Sequence, residues 1–134
     1  LKRRVTQYGF MRKYLLSVMK EKKKQHIAIW GVGNDFPPLH SNIRYAGILP
    51  RILVDNDTKK QGCITGGIMV LSPENICDDD LVIVSSRKYY KEIKGFLEAM
   101  GKLEKIDFLA QDDLMADLFR KCISVIGGIT RQTF

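Results

Sequence analysis

The stretch "HIAIWGVGNDFPPLH", residues 26 to 40, decides the fold. Ile27 to Trp30 form an apolar run that suits a buried strand. Gly31 and Gly33 follow directly, and a backbone without Cβ atoms turns tightly and lets a phosphate approach closely. A helix after such a turn points its free N–H groups at the phosphate. The stretch therefore predicts a strand, a glycine turn and a helix around an anion site.

Three features of this loop oppose tight phosphate binding. Phe36 stands where such loops usually carry a third small residue that lets the helix pack on the strand. Asp35 brings negative charge to the place of the phosphates, while Pro37 and Pro38 remove N–H donors from the first helical turn. We expect the loop to keep its turn but to bind phosphate only weakly. We also expect Phe36 to fill space beside Trp30.

Strands and helices alternate along the rest of the chain. Further strands are predicted at "RILVDND", "IMVL", "LVIVSS" and "KIDFLA", and the segment "TKKQGCITGG" before the second of them is predicted to be a loop. Helices are predicted over residues 87–102 and 112–128. Because helical crossovers join parallel strands, we predict an α/β, Rossmann-like three-layer domain. Its parallel sheet has the order 3-2-1-4-5, with extra helices at both termini.

The positive charge is concentrated at the start of the chain. Residues 1–25 hold nine of the 22 Lys and Arg and one of the 15 Asp and Glu, which leaves 13 basic and 14 acidic residues elsewhere. Apolar residues at 8, 11, 15 and 18 predict an amphipathic helix, packed on this domain or on a neighbour. Contact with an anionic membrane surface is the less favoured alternative. The rest of the chain is nearly neutral and contains no nucleic-acid recognition motif, which argues against nucleic-acid binding.

Domain boundaries follow from these patterns. We expect a basic arm over residues 1–25, the Rossmann-like domain over 26–110 and a C-terminal helix and tail over 111–134. The cysteines at 63, 77 and 122 form no C-x-x-C pair, and neither histidine lies near one at metal-ligand spacing. We predict reduced, mostly buried thiols, no metal site and a cytoplasmic protein.

In sheets of this order, ligands bind beyond the strand carboxyl ends where the order reverses. The residues predicted to meet there are Gly31, Gly33, Asn34, Asp55, Asn56, Ser85 and Ser86. Asp55 ends the second strand, where a carboxylate can accept hydrogen bonds from a ribose and disfavours a 2′-phosphate. NAD or a nucleotide sugar is thus preferred over NADP. Lys59 and Lys60 weaken this preference, because either could reach a phosphate.

No complete catalytic constellation is found. Tyr90 and Lys94 match the Y-x-x-x-K pair of short-chain dehydrogenases, but they fall on a helix where Tyr90 suits the core and Lys94 the surface. Residues 78–80, three aspartates, suit a solvated turn before the fourth strand. Whether the chain is an enzyme is left open.

Four stretches carry a family resemblance: "IAIWGVGND", "ILVDNDTKKQG", "GGIMVLSPENI" and "DDLVIVSSRKYYKEIKGFLEAMG". In order and spacing, residues 26 to 109 resemble the Rossmann-like domains of bacterial surface-polysaccharide enzymes that modify sugar nucleotides. The resemblance implies that Gly31, Gly33 and Asp55 bind NAD(P) or the nucleoside of a sugar donor. Phe36 and the two prolines depart from the family pattern.

Three hypotheses follow. The first is a nucleotide- or nucleotide-sugar-binding module of a larger protein in surface polysaccharide biosynthesis, with its catalytic domain elsewhere in the same chain. The second is a non-binding interaction domain with a degenerate site, which holds a neighbour or a second copy through its terminal helices. The third and least favoured is a free-standing oxidoreductase.

Overall fold

A computed structural model describes residues 2–99, 101 and 108–133, with side chains within 9–99, 101, 110–121 and 123. Six strands form one sheet in the order β3-β4-β2-β1-β5-β6. They are β1 (His26–Trp30), β2 (Ile52–Val54), β3 (Ile64–Thr65), β4 (Ile68–Leu71), β5 (Asp80–Val84) and β6 (Phe108–Ala110). The helices are α1 (Lys2–Glu21), α2 (Phe36–Tyr45), α3 (Tyr90–Ala99) and α4 (Gln111–Thr133).

The sheet adds one edge strand to the predicted order 3-2-1-4-5 and corrects the predicted all-parallel character. β3 is an additional strand, which pairs antiparallel with β4 at the edge of the sheet. It forms because Gly66 and Gly67 both adopt positive φ, at 58° and 81°, and close a tight turn within the segment predicted to be a loop. The other five strands pair in parallel as β4-β2-β1-β5-β6, and Ile29 lies opposite Ile83. The five segments predicted as strands are therefore neighbours as expected.

Helices cover both faces of the sheet, because alternate residues of each strand point to opposite sides. Ile27 and Ile29 of β1 join a core with the buried sides of α1, α2 and α4. Ala28 and Trp30 join a second core with α3. Both central strands are thus buried on both faces, as the continuous apolar runs indicated.

The N-terminal helix packs on this domain. Met11, Tyr14, Leu15 and Val18 are at most 8% exposed and belong to the same core as β1. The Tyr14 hydroxyl bonds to Asp117 of α4, so polar contacts also join the two terminal helices. The side chain at 8, predicted for the apolar side of the first helix, and those at 122, 125 and 126 in the predicted last helix lie outside the described side chains.

The other helices begin or end where local chemistry dictates. α2 carries its two prolines in the first turn and ends before Gly47, which adopts φ 79°. Helix α3 begins at residue 90, three residues later than predicted, and the Ser86 hydroxyl accepts the Tyr89 amide at 3.1 Å in the turn that precedes it. Gly101, at φ 67°, follows it as the predicted terminator.

The end of the sheet opposite the strand carboxyl ends carries an ion pair between a buried carboxylate and a partly exposed arginine. Asp80 is fully buried, and its carboxylate accepts two hydrogen bonds from Arg51 and one from the Cys77 amide. Burial alone would raise the pKa of Asp80, but these bonds outweigh it and hold the pKa below its usual value. The prediction of a solvated acidic turn is therefore wrong for Asp80, which the turn directs inward to Arg51.

The prediction of mostly buried thiols is also wrong for two of the three cysteines. Cys63 and Cys77 are exposed, because they lie in the turns that precede β3 and β5. The side chain at 122 lies outside the described set. In the described residues no helix is long and apolar enough to cross a membrane.

Candidate functional site

A cleft of about 580 Å³ lies at the carboxyl ends of β1, β2 and β5. This is the point where the strand order reverses on either side of β1. Its lining includes all seven residues predicted for the site: Gly31, Gly33, Asn34, Asp55, Asn56, Ser85 and Ser86. It also includes Lys60, one of the two lysines expected to reach a phosphate, and residues that were not predicted there, namely Lys88, Tyr89, Glu92 and Ile93.

Gly31 is required by the geometry of the turn. Its φ is 105°, and a Cβ placed on it would lie 2.8 Å from the Ser85 hydroxyl oxygen. Its amide donates to the Val54 carbonyl at 2.8 Å, which ties the start of the loop to the end of β2. Any other residue would be strained and would clash, so Gly31 shapes the turn from within.

Gly33 has a different role, because its backbone carries no such strain. It is absent from the residues with positive φ, and a Cβ placed on it would meet only the Nζ atom of Lys60, at 3.7 Å. The space over Gly33 is therefore open to the cleft. A ligand could approach this part of the backbone, as a phosphate does in glycine loops.

Asp55 fastens the glycine loop to the loop after β2. One carboxylate oxygen accepts the Val32 amide at 3.0 Å, and the other accepts the Asp57 amide at 2.9 Å. Each oxygen retains a further lone pair, so the carboxylate can still accept a hydroxyl from the cleft. The position at the strand end that predicted a ribose contact thus also holds the turn in shape.

The two serines after β5 divide into separate roles. Ser85 is 1% exposed, and its hydroxyl donates to the carbonyl oxygens of Gly31 and Trp30. Its hydroxyl is therefore engaged in holding the turn. Ser86, at the start of the approach to α3, is half-buried. Its hydroxyl accepts the Tyr89 amide and can still donate to a ligand.

The negative charge of Asp35 is partly offset within the protein by an arginine that Asp35 shares with Asp112. Its carboxylate accepts from the Arg87 guanidinium and from the Arg87 amide, each at 3.2 Å. Arg87 also donates from Nε to both carboxylate oxygens of Asp112, at 2.8 and 3.0 Å. The expectation that Asp35 repels a phosphate overlooked this cation, which lies 52 positions away in sequence.

Phe36 does not lie beside Trp30, contrary to expectation. It is 2% exposed in the core under α2 and stacks on His40 at a centroid distance of 4.9 Å. Trp30 belongs to the other face, where it meets Phe96 edge to face at 5.9 Å. Because α2 begins at Phe36, the ring lies on the buried side of this helix. It therefore packs on the face of the sheet opposite Trp30.

Two residues near the site gave little sequence signal. Gln111 is 5% exposed, and its side-chain amide donates to the carbonyls of Asp35 and Ser85 at 3.2 and 2.9 Å. It links the glycine loop to the end of β5. Arg87 links the same loop to α4. Gln111 directly follows β6, and Arg87 lies shortly after β5. This position at the carboxyl edge of the sheet was the one feature of the sequence that could have indicated a role near the site.

His40 is buried outside the cleft. It is 8% exposed, and no partner is found for its Nε2 atom among the described residues. Burial first and the charge of Arg44 second lower the pKa of His40. The ring packs on Gly66, where a Cβ would come within 2.2 Å of it. His40 thus holds the β3-β4 hairpin against α2 in its neutral form.

Tyr90 and Lys94 do not form a dehydrogenase pair. Tyr90 is half-buried against the second core, Lys94 is exposed, and neither lines the cleft. Burial and Asp113 raise the pKa of Tyr90, whereas an acid-base tyrosine needs a lowered one. In the described part of the chain, no cluster of three or more His, Cys, Asp or Glu could hold a metal ion.

Comparison with known proteins shows the family. The model of the C2185-like N-terminal domain matches residues 23–106, more than half of the chain, and the chain belongs to this family. No curated protein sequence matches it. The crystal structure of UDP-D-quinovosamine 4-dehydrogenase from Vibrio fischeri is similar, with a TM-score of 0.48 and 23% identity over 70% of this chain and 85% of that one. A likeness at that level says nothing about the activity of this chain.

Proposed function

We propose that this member of the C2185-like N-terminal family binds a nucleotide or a nucleotide sugar in the cleft at the carboxyl ends of β1, β2 and β5. One observation carries the proposal. The seven residues expected from the sequence to contact such a ligand all line a single cleft of about 580 Å³. That volume lies in the range of pockets that hold small-molecule ligands and cofactors.

The orientation of the ligand follows from the chemistry of the two cleft walls. The Asp55 carboxylate accepts hydroxyls of the ribose, and the glycine turn at residues 31–35 faces the phosphates. Tyr89 and Glu92 on the α3 side face the remaining part of the ligand. A carboxylate at the ribose disfavours a 2′-phosphate, so NAD or a nucleotide sugar is the preferred class over NADP.

The wider role rests on the motifs "VDNDTKKQG" and "VLSPENI". They resemble those of surface-polysaccharide enzymes, so we propose a cytoplasmic binding module of a larger protein in sugar or polysaccharide biosynthesis. The chemical step then belongs to a catalytic domain elsewhere in the same chain. The position of Tyr90 and Lys94 away from the cleft is consistent with this division.

Thermal denaturation with NAD, NADP, a UDP-sugar and CDP tests the proposal. Saturating ligand, at about 100 times its dissociation constant, should stabilise the fold by about 2.7 kcal/mol. Gly33→Ala is the matched control, because its new Cβ points into the open cleft and meets only Lys60. This variant should unfold like the wild type without ligand and should lose the ligand-induced shift. No shift of the wild type with any of the ligands would refute nucleotide binding.

A second candidate function is an interaction domain. Leu16 on α1 and Phe119 and Ile123 on α4 are 45%, 66% and 52% exposed. Phe119 and Ile123 are one turn apart and form an apolar stripe on α4. This favours a neighbouring domain or a second copy on the terminal helices. Sedimentation of the wild type and of Phe119→Ser tests the second copy, and a concentration-dependent dimer lost in the variant would support it.

A further inference from the structure

Lys60 lies over the glycine turn. Its Nζ atom is 3.7 Å from the Cβ position of Gly33, and the side chain is half-buried in the cleft wall. Within the described ranges, no carboxylate lies at salt-bridge distance from it. An ammonium group in this cleft wall, with no ion-pair partner among the described residues, is placed to meet an anion over Gly33.

The start of α2 leaves few amides for that anion. Pro37 and Pro38 have no N–H, and the Phe36 amide donates to the Gly33 carbonyl at 3.2 Å. The Val32 amide is used by Asp55. Among the described residues, only the amides at 33–35 of this loop have no protein acceptor. A phosphate that accepts from them lies beside the Lys60 ammonium.

The carboxylates of the cleft do not neutralise Lys60. Asp55 accepts two amides, and Asp35 pairs with Arg87. The Asp57 carboxylate accepts the Lys59 amide at 3.0 Å, so it closes the turn that carries both lysines. Each of these acids already has a donor from the protein. Glu92, the fourth carboxylate of the cleft, forms no ion pair with Lys60 among the described residues, so the Lys60 ammonium remains available to the ligand.

Resting on the nucleotide-binding function proposed above, we propose that Lys60 binds the diphosphate of the ligand over Gly33. It takes the place of the N–H donors that the two prolines remove from α2. It follows that the ligand is a nucleoside diphosphate or an ester of one, and not a nucleoside. It also follows that Lys60 does not recognise the 2′-phosphate of a dinucleotide. Lys60 binds the diphosphate and does not contact the ribose.

Lys59 provides a matched control. It follows the same turn and carries the same charge, but it is exposed and does not line the cleft. Lys59→Gln and Lys60→Gln thus change the net charge equally, one position apart. Lys60→Arg keeps the charge at the cleft.

The test is titration calorimetry of these variants with UDP, ADP, NAD and NADP, and with uridine and adenosine. A charged hydrogen bond to a buried phosphate is lost in Lys60→Gln, so its affinity for the diphosphates should fall by roughly 10- to 100-fold. Lys59→Gln should bind them like the wild type, and Lys60→Arg should recover most of the loss. Affinity for the nucleosides should be equal in all four proteins.

The outcomes separate this inference from the proposed function. Wild-type binding of a diphosphate with equal affinities in Lys59→Gln and Lys60→Gln overturns the role of Lys60 and leaves nucleotide binding intact. An equal loss for nucleosides and diphosphates in Lys60→Gln also overturns it, because the contact is then not to phosphate. A loss confined to NADP overturns it as well and assigns Lys60 to a 2′-phosphate. A wild type that binds none of the ligands overturns both proposals.

Discussion

Alanine at Gly31 should strongly destabilise the fold, whereas alanine at Gly33 should leave its stability almost unchanged. At Gly31, alanine would have to adopt φ 105° and would bring its Cβ to 2.8 Å from the Ser85 hydroxyl oxygen. That hydroxyl cannot move away freely, because it donates to two carbonyls of the turn. At Gly33, the new methyl group would point into the cleft and meet only the flexible end of Lys60.

The magnitudes follow from these contacts. A non-glycine residue in a disfavoured backbone region costs about 1–3 kcal/mol, and forcing an extra methyl group into packed surroundings costs about 1–3 kcal/mol more. Gly31→Ala should therefore lower the free energy of unfolding by roughly 2–6 kcal/mol. Gly33→Ala should change it by at most about 0.5 kcal/mol, or raise it slightly by reducing the entropy of the unfolded chain.

Equilibrium unfolding in urea measures the difference. The two variants should show equal slopes and well-separated midpoints, with Gly31→Ala the less stable by about 2 kcal/mol or more. Equal midpoints would show that the turn relaxes around the added methyl group and that Gly31 is not required. A strong loss of stability in Gly33→Ala would show that the space over Gly33 is not open, which would undermine its use as a binding-defective control.

Three further outcomes concern stability. Asp80→Asn should destabilise the fold by about 1–3 kcal/mol in urea unfolding near neutral pH, because the buried side chain loses its charge-assisted hydrogen bonds to Arg51 while the Arg51 guanidinium stays partly solvated. Since the pKa of Asp80 is lowered in the folded state, its stabilisation is present above the unfolded value of about 3.9 and is lost as pH falls through the folded value. The difference in stability between the wild type and this variant should accordingly shrink in acid. Phe36→Ala should cost about 3–5 kcal/mol in urea unfolding, without affecting the cleft directly. The pKa of His40 is also lowered, so stability should fall as pH drops through about 6.5, and this slope should be absent in His40→Gln.

Much of the architecture is determined by local sequence. Ile27 to Trp30 and Leu81 to Val84 are apolar without alternation, which predicts strands buried on both faces, and they are the central parallel pair. Because parallel strands end at the same edge, their order also brought Asp55 and the two serines to the glycine turn. The extra strand β3 could not be read from two residues in a polar, glycine-bearing segment.

Tertiary structure decided what the individual side chains of the loop do. The sequence by itself determined that a strand, a glycine turn and a helix meet at residues 26–40, since apolar runs and backbone freedom are local properties. It could not reveal that Arg87 pairs with Asp35, that Phe36 packs under α2, or that Lys60 and not Lys59 lies over Gly33. Some of these contacts join residues that are distant in sequence, and the contact over Gly33 depends on which of two adjacent lysines faces the cleft. Both depend on strand pairing and on side-chain direction, which only the assembled sheet specifies.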